Sequence, residues 1–291
     1  MPRPELDDLQ REIIDFDSEA PEGQAFLAFT TATGLSRFTD IPWPKAQAPK
    51  TDAKARKGKA GALPRADALV VAWTVDEGHA LSRVLTPGKD SRNDYVSYKH
   101  NFARIAKKMR KGCPALKAGR LGAYWTTRIG GKRVVVFKSD SHLSQDTKKA
   151  PKPGETLPNQ KLFAKAKALF NANEAQLPKD NPRPPKITIT RAVKASVLTT
   201  DFFGFDTSND FYKLQGLGSV SEMGDAVLGL VRSRTNVKVP QWLAVRNVSD
   251  PQIKAEGTLK DQAKIAAQIY KGFGRWSSVC SAIVCWGLIA A

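Results

Sequence analysis

Cysteine, histidine and methionine are scarce in this chain, with only three of each in 291 residues. The cysteines (Cys113, Cys280 and Cys285) are odd in number and form no framework of spacings, which excludes a disulfide-stapled secreted scaffold. The histidines (His79, His100 and His142) share no metal-ligand spacing with those thiols, so no metal site is expected. Acidic residues are in deficit, 28 Asp and Glu against 46 Lys and Arg, for a formal net charge of +18. Long hydrophobic runs are missing too. The first thirty residues carry many acids and no apolar stretch, so no signal peptide is expected. The longest uncharged run, 276–291, is shorter than the roughly 20 residues of a spanning helix. Neither GxGxxG nor GxxxxGK[ST] occurs, which removes the main support for dinucleotide or P-loop binding, and no cofactor is expected. A hydrophobic share of 41% still permits a packed core. The expectation is a cytoplasmic protein of a reducing compartment, without a membrane partner.

Two regions are expected. Residues 1–65 open with Leu6, Leu9, Ile13 and Ile14 at helical spacing. They close on 45–65, rich in Lys, Ala, Pro and Gly and low in bulky apolar residues, a composition that predicts a flexible basic linker. Residues 66–291 read as α/β. Residues 68–73 form a short continuous apolar run, the pattern of a strand buried on both faces, and a helix is expected over 78–85. Residues 122–137 predict two strands joined at Gly130-Gly131. Further helices are expected over 157–171, 221–232 and 259–286, the last with a bend at Gly272 and Gly274. Further strands are expected over 186–191, 196–200 and 242–248. Strands alternating with helices predict a mixed sheet covered on both sides, a three-layer α/β/α architecture.

Functional groups gather at the carboxyl ends of strands in such sheets. That rule selects Asp76 and Glu77 after the first strand, Lys138 and His142 after the third, Phe203 after the fifth, and Ser249 and Asp250 after the sixth. Each has a plain structural alternative. Asp76 and Glu77 are favourable acids at a helix start, and Ser249 or Asp250 before Pro251 suits an N-cap followed by proline at the first helical position. Phe203 and Met223 suit a core, and His142 a surface loop.

The stretch Glu222-Met223-Gly224-Asp225-Ala226-Val227, followed by Arg246-Asn247-Val248-Ser249-Asp250, resembles the purine nucleoside phosphorylase and methylthioadenosine nucleosidase superfamily. There a Glu-Met-Glu helix precedes a strand ending in Arg-x-x-Ser-Asp. Thr74-Val75-Asp76-Glu77 looks like that family's first strand and its Glu, and Thr200-Asp201-Phe202-Phe203 like its strand ending in an aromatic. The resemblance spans 68–291. It implies cleavage of the N-glycosidic bond of a purine nucleoside or nucleotide. Asp250 would protonate the leaving base at N7 with Ser249 orienting it, and Glu77, or its rival Asp76, would position the attacking water. Phe203 would stack on the base, with Glu222, Met223 and Asp225 near the ribose and Lys138 and His142 facing a phosphate. Two features depart from the family. Its second Glu falls at Gly224, and its Gly-rich central strand turn is missing between Phe137 and Lys186. With no phosphate-cradling glycine loop, hydrolysis is expected over phosphorolysis.

Lys99, Arg104, Lys107, Lys108, Arg110, Lys111, Lys117 and Arg120 lie in a stretch without one acid. If the stretch is helical, Arg104, Lys107, Lys108 and Lys111 share a face. Three readings stay open: a solvated surface, a grip on substrate phosphates, or weak non-specific binding of nucleic acid. A homo-oligomer is compatible with the sequence.

Overall fold

The computed structural model describes residues 13, 15–18, 20–21, 43–109, 111–141, 197–199, 220–222, 243–246 and 259–291. Its centre is the hairpin of β4 (Gly122–Ile129) and β5 (Lys132–Ser139), antiparallel from Gly122↔Ser139 to Ile129↔Lys132. Gly130 and Gly131 turn it with φ of +55° and +80°. Two successive positive φ values define the hairpin turn whose twist matches the strands, and glycine adopts them without strain.

β2 (Ala68–Ala72) runs parallel to β5. On the far side of β4, β1 (Lys50–Thr51) pairs antiparallel with Thr127–Arg128, and β3 (Val96–Tyr98) with Gly122–Tyr124. The result is a mixed five-stranded sheet with helices, an α/β arrangement. β6 (Val197–Thr199) and β7 (Val220–Glu222) form a separate parallel pair.

Side chains alternate across a strand, so Ala123, Trp125 and Ile129 of β4 join Val134 and Val136 of β5 on one face. α1 (Val75–Leu85) contributes Ala80, Leu81, Val84 and Leu85 to that face. α4 (Leu259–Ala290) contributes Val279, Ala282, Ile283, Trp286 and Ile289. Val84, Leu85 and Trp286 are fully buried, and burying each such side chain is worth about 1.5–3 kcal/mol. By length and composition α4 could cross a membrane, but one face of it is this core, an arrangement compatible with a soluble protein.

The structure departs from the sequence expectations at several places. Residues 43–60, which overlap the flexible linker expected over 45–65, pack on α4, on β4 and on the turn after β3. Trp43 packs on Trp286 at 4.6 Å between ring centroids. The indole nitrogens of Trp286 and Trp125 donate to the carbonyls of Gln47 and Asp52 at 2.8 and 2.9 Å. The Asp52 carboxylate accepts from Arg56 Nε and Thr126 Oγ1 at 2.8 and 2.5 Å. Strand addition through main-chain groups needs no apolar pattern, which is why composition conceals it. β2 ends the sheet path among the described residues and leaves Leu69 53% exposed, so it is not buried on both faces.

The basic stretch is two short helices, α2 (Phe102–Ala106) and α3 (Pro114–Ala118), not one. Gly112 at φ +87° and Pro114 break it, and proline, lacking an N–H, starts a helix far better than it continues one. Ser221 and Glu222 begin no helix: Val220–Glu222 is strand, with Val220 opposite Val197. Residues 243–246 are irregular where a strand is expected. The expected helix at 157–171 and strand at 186–191 lie outside the described residues, as does most of the expected helix at 221–232.

Candidate functional site at the carboxyl end of β2

β2 and β5 are parallel and in register from Ala68↔Val134 to Ala72↔Lys138, so the residues following both strands emerge at one edge of the sheet. Thr74 caps α1 there. Its Oγ1 accepts from Glu77 N at 3.1 Å, while Glu77 Oε2 accepts from Trp73 N and Thr74 N at 2.8 and 3.0 Å. This is a complete capping box, in which each side chain satisfies the other's orphan amide. Tyr270 of α4 donates its hydroxyl to Thr74 Oγ1 at 2.9 Å and ties the cap to the last helix.

Glu77 therefore holds backbone with one carboxylate oxygen. The other, Oε1, faces Arg246 Nη1 at 3.9 Å, with both side chains about a quarter exposed, at 26% and 24%. The Arg246 guanidinium also lies over the Trp73 ring, 5.3 Å from its centroid, a cation–π contact. Asp76 contrasts with its neighbour. It is fully buried, and its Oδ1 accepts from both the amide and the hydroxyl of Ser18 at 2.9 and 2.7 Å. Its Oδ2 has no hydrogen-bond partner among the described residues. Burial pushes the Asp76 carboxyl above the ordinary carboxylate range, against the Ser18 hydrogen bonds and the nearby His79 and Arg275 charges.

One turn further along α1, buried His79 sits between three groups. Its Nε2 is 3.2 Å from Asp17, its Nδ1 3.8 Å from Asp90, and Ser91 Oγ is 3.4 Å from Nδ1. Arg92 pairs with the same Asp17. After β5, Asp140 accepts from Arg120 Nε at 2.6 Å and from Lys138 Nζ at 3.1 Å. Lys138 thus belongs to an internal ion network and is 14% exposed. α1 approaches it closely, since a Cβ on Gly78 would meet Lys138 Cγ at 2.8 Å. Below the cap, burial pushes the Cys285 thiol up to about 12, assisted by the Glu77 charge, and that of Cys280 up to about 11. Neither is a thiolate nucleophile near neutrality.

Of the sequence-selected residues, Asp76, Glu77 and Lys138 gather at this edge. Glu222 ends β7, opposite Thr199 of β6. His142, Phe203, Met223, Asp225, Ser249 and Asp250 lie outside the described residues. Arg246, Trp73, Tyr270, His79 and Ser18 were not selected. Arg246 had a signal, as the first residue of Arg-x-x-Ser-Asp. Tyr270 and Ser18 had none, because only the fold brings them to α1. Among the described residues no group of three or more His, Cys, Asp or Glu could hold a metal ion. Comparison with known family models, curated proteins and solved structures finds no match.

Proposed function

We propose that the chain is a nucleosidase-like hydrolase that cleaves the N-glycosidic bond of a purine nucleoside or nucleotide, on a three-layer nucleoside-phosphorylase-like fold. One observation carries the reading. Arg246, which opens Arg-x-x-Ser-Asp250, meets Glu77, the acid of the first-strand motif, 3.9 Å away and over the same Trp73. The two motifs are remote along the sequence and belong to the same resemblance. Their contact is what a shared site requires.

In this reading water attacks C1′ as the bond from C1′ to the base nitrogen breaks. Asp250, oriented by Ser249, gives a proton to the departing purine at N7, and a carboxylate takes one from the water. Glu77 suits that second role better than Asp76. Glu77 keeps one oxygen toward solvent and Arg246, whereas Asp76 is sealed beneath Ser18. The capping amides fix the Glu77 rotamer in advance, which is the preorganisation a water-positioning group needs. Phe203 is assigned to the base, Glu222, Met223 and Asp225 to the ribose side, and Lys138 with His142 to a substrate phosphate.

The test is release of free base from adenosine, AMP, ATP and methylthioadenosine, in phosphate-free buffer and with phosphate added. Release without phosphate is the expected result. Release only with phosphate makes the enzyme a phosphorylase, and no release from any substrate overturns the reading.

A further inference from the structure

Two basic segments that are separate in the sequence share one surface in the fold. Lys54, Lys57 and Lys59 lie on the strap that follows β1, and Lys99, Arg104, Lys107, Lys108, Lys111 and Lys117 lie on β3, α2, α3 and their turns. The ring Nδ1 of His100 is 3.1 Å from the Ala60 carbonyl, and Tyr124 Oη donates to the Arg56 carbonyl at 3.1 Å. These contacts tie the strap to β4 and to the turn that leads from β3 into α2. All of the named cations are exposed, and none makes an ion pair among the described residues. Elsewhere on the chain basic side chains do find carboxylates: Arg56 with Asp52, Arg92 with Asp17, Arg120 and Lys138 with Asp140, Arg133 with Asp67. No acid occurs between Tyr95 and Ser139 to neutralise this patch.

We infer that this surface binds single-stranded nucleic acid, independently of the glycosidic site. Unneutralised lysines release counterions from a phosphate backbone, which drives such binding. Partly buried Tyr98, whose ring lies 6.3 Å from His100 and edge-on to Tyr124 and Phe137 at 6.5 and 5.5 Å, offers a rigid aromatic platform among the cations. Grooves for single strands pair such platforms with charge. An anionic membrane fits less well. Among the described residues the exposed large hydrophobics are Leu69, Ile265 and Phe273, and none of them is on this surface to insert. The patch is built on a small core of its own, Met109, Cys113 and Ala115 with Ile105, Leu116 and Leu121, so its exposed lysines can be replaced without disturbing the fold.

The experiment is fluorescence anisotropy of a labelled oligothymidylate of about 20 nucleotides with the full chain, over a series of salt concentrations. Single-strand sites span roughly 4–16 nucleotides, so this probe covers one. Lys54→Ala with Lys57→Ala, and separately Lys107→Ala with Lys111→Ala, should each weaken binding and flatten the log–log salt slope by about 0.7 for every engaged lysine removed. Tyr98→Leu, which retains an apolar contact but no π face, should weaken binding about tenfold. Arg133→Ala serves as the control, since Asp67 already neutralises that charge, and should change nothing. Thermal melting reports folding of each variant. Wild-type slope in either lysine pair overturns the inference. So does equal binding of thymidine monophosphate, or binding of anionic phospholipid vesicles in preference to the oligonucleotide.

Discussion

Glu77 holds the amides of Trp73 and Thr74 through one oxygen and faces Arg246 through the other, so the cap and the water-positioning role proposed for it fall on one carboxylate. Glutamine serves the same box position as glutamate, which allows the two to be separated. Glu77→Gln should keep the melting temperature and lower turnover by about 10²–10⁴, the usual range for general acid–base catalysis. Glu77→Ala should lose both, with about 1 kcal/mol of stability going with the cap. Unchanged turnover in the glutamine variant would return Glu77 to a cap alone. Asp76 makes a different prediction, about pH. Its folded-state affinity for a proton is raised by burial above the ordinary 3.8. Below that pH the carboxyl is neutral in both states and adds no penalty. As pH rises past it the unfolded chain ionises first, so the folded state binds more protons and loses stability until its own carboxyl has titrated. Asp76→Asn keeps an acceptor for Ser18 and removes this loss. Its melting temperature should gain on wild type as pH climbs from about 4 toward neutrality. Parallel melting curves across that range would show that Asp76 ionises as freely folded as unfolded.

Elements whose signals are local were legible in the sequence. The β4–β5 hairpin follows from two apolar strands around Gly130-Gly131, and β2, α1 and α4 from short apolar runs and helical spacing, each within a residue or a few of its observed bounds. Elements held by distant main chain were not. β1 is two residues long and exists because Thr127 and Arg128 offer a free edge. Its neighbours are secured by indole N–H groups on carbonyls, an interaction no periodicity records. The basic stretch shows the converse failure: charge spacing suggested one helix where Asn101 at φ +58°, Gly112 and Pro114 dictate two. Likewise the sequence offered Glu77 with Asp76 as its rival, and the burial of Asp76 beneath Ser18 separates the two. The packing of 43–47 on α4 and of 50–56 on β4 predicts that limited proteolysis spares Lys50, Lys54 and Lys57 in the native chain despite their lysine-rich composition. Trp286→Ala removes the ring under Trp43 and the donor to Gln47. It should cost about 3–5 kcal/mol, and cleavage within 43–57 should appear at temperatures where wild type resists. Rapid native cleavage there would mean the strap is not held.

Across the whole molecule, α4 joins the pieces that matter. Its core face supports the sheet, Tyr270 reaches the α1 cap, and Ala267 and Tyr270 enclose Ile13 from the N-terminal segment. The site edge is thereby assembled from segments drawn from both ends of the chain, with Arg246 closing it on one side. That assembly makes Asp250, four residues beyond Arg246, the decisive position for the nucleosidase reading. Ser249-Asp250-Pro251 also fits an N-cap, and asparagine caps as well as aspartate does. Asp250→Asn therefore preserves a cap and removes the acid, whereas Asp250→Ala removes both. If Asp250 protonates the leaving purine, the asparagine variant should fall in base release by roughly 10²–10⁴ with its melting temperature nearly unchanged. A substrate whose base leaves without protonation should recover much of that loss, because the missing proton is no longer needed. The alanine variant should show the same kinetic defect plus a loss of about 1 kcal/mol in stability. Neither substitution should alter oligonucleotide binding, which is assigned to the lysine patch around His100 and Ala60. Wild-type turnover in Asp250→Asn beside an early-melting Asp250→Ala would make Asp250 a cap, and the glycosidic chemistry would then lack its acid.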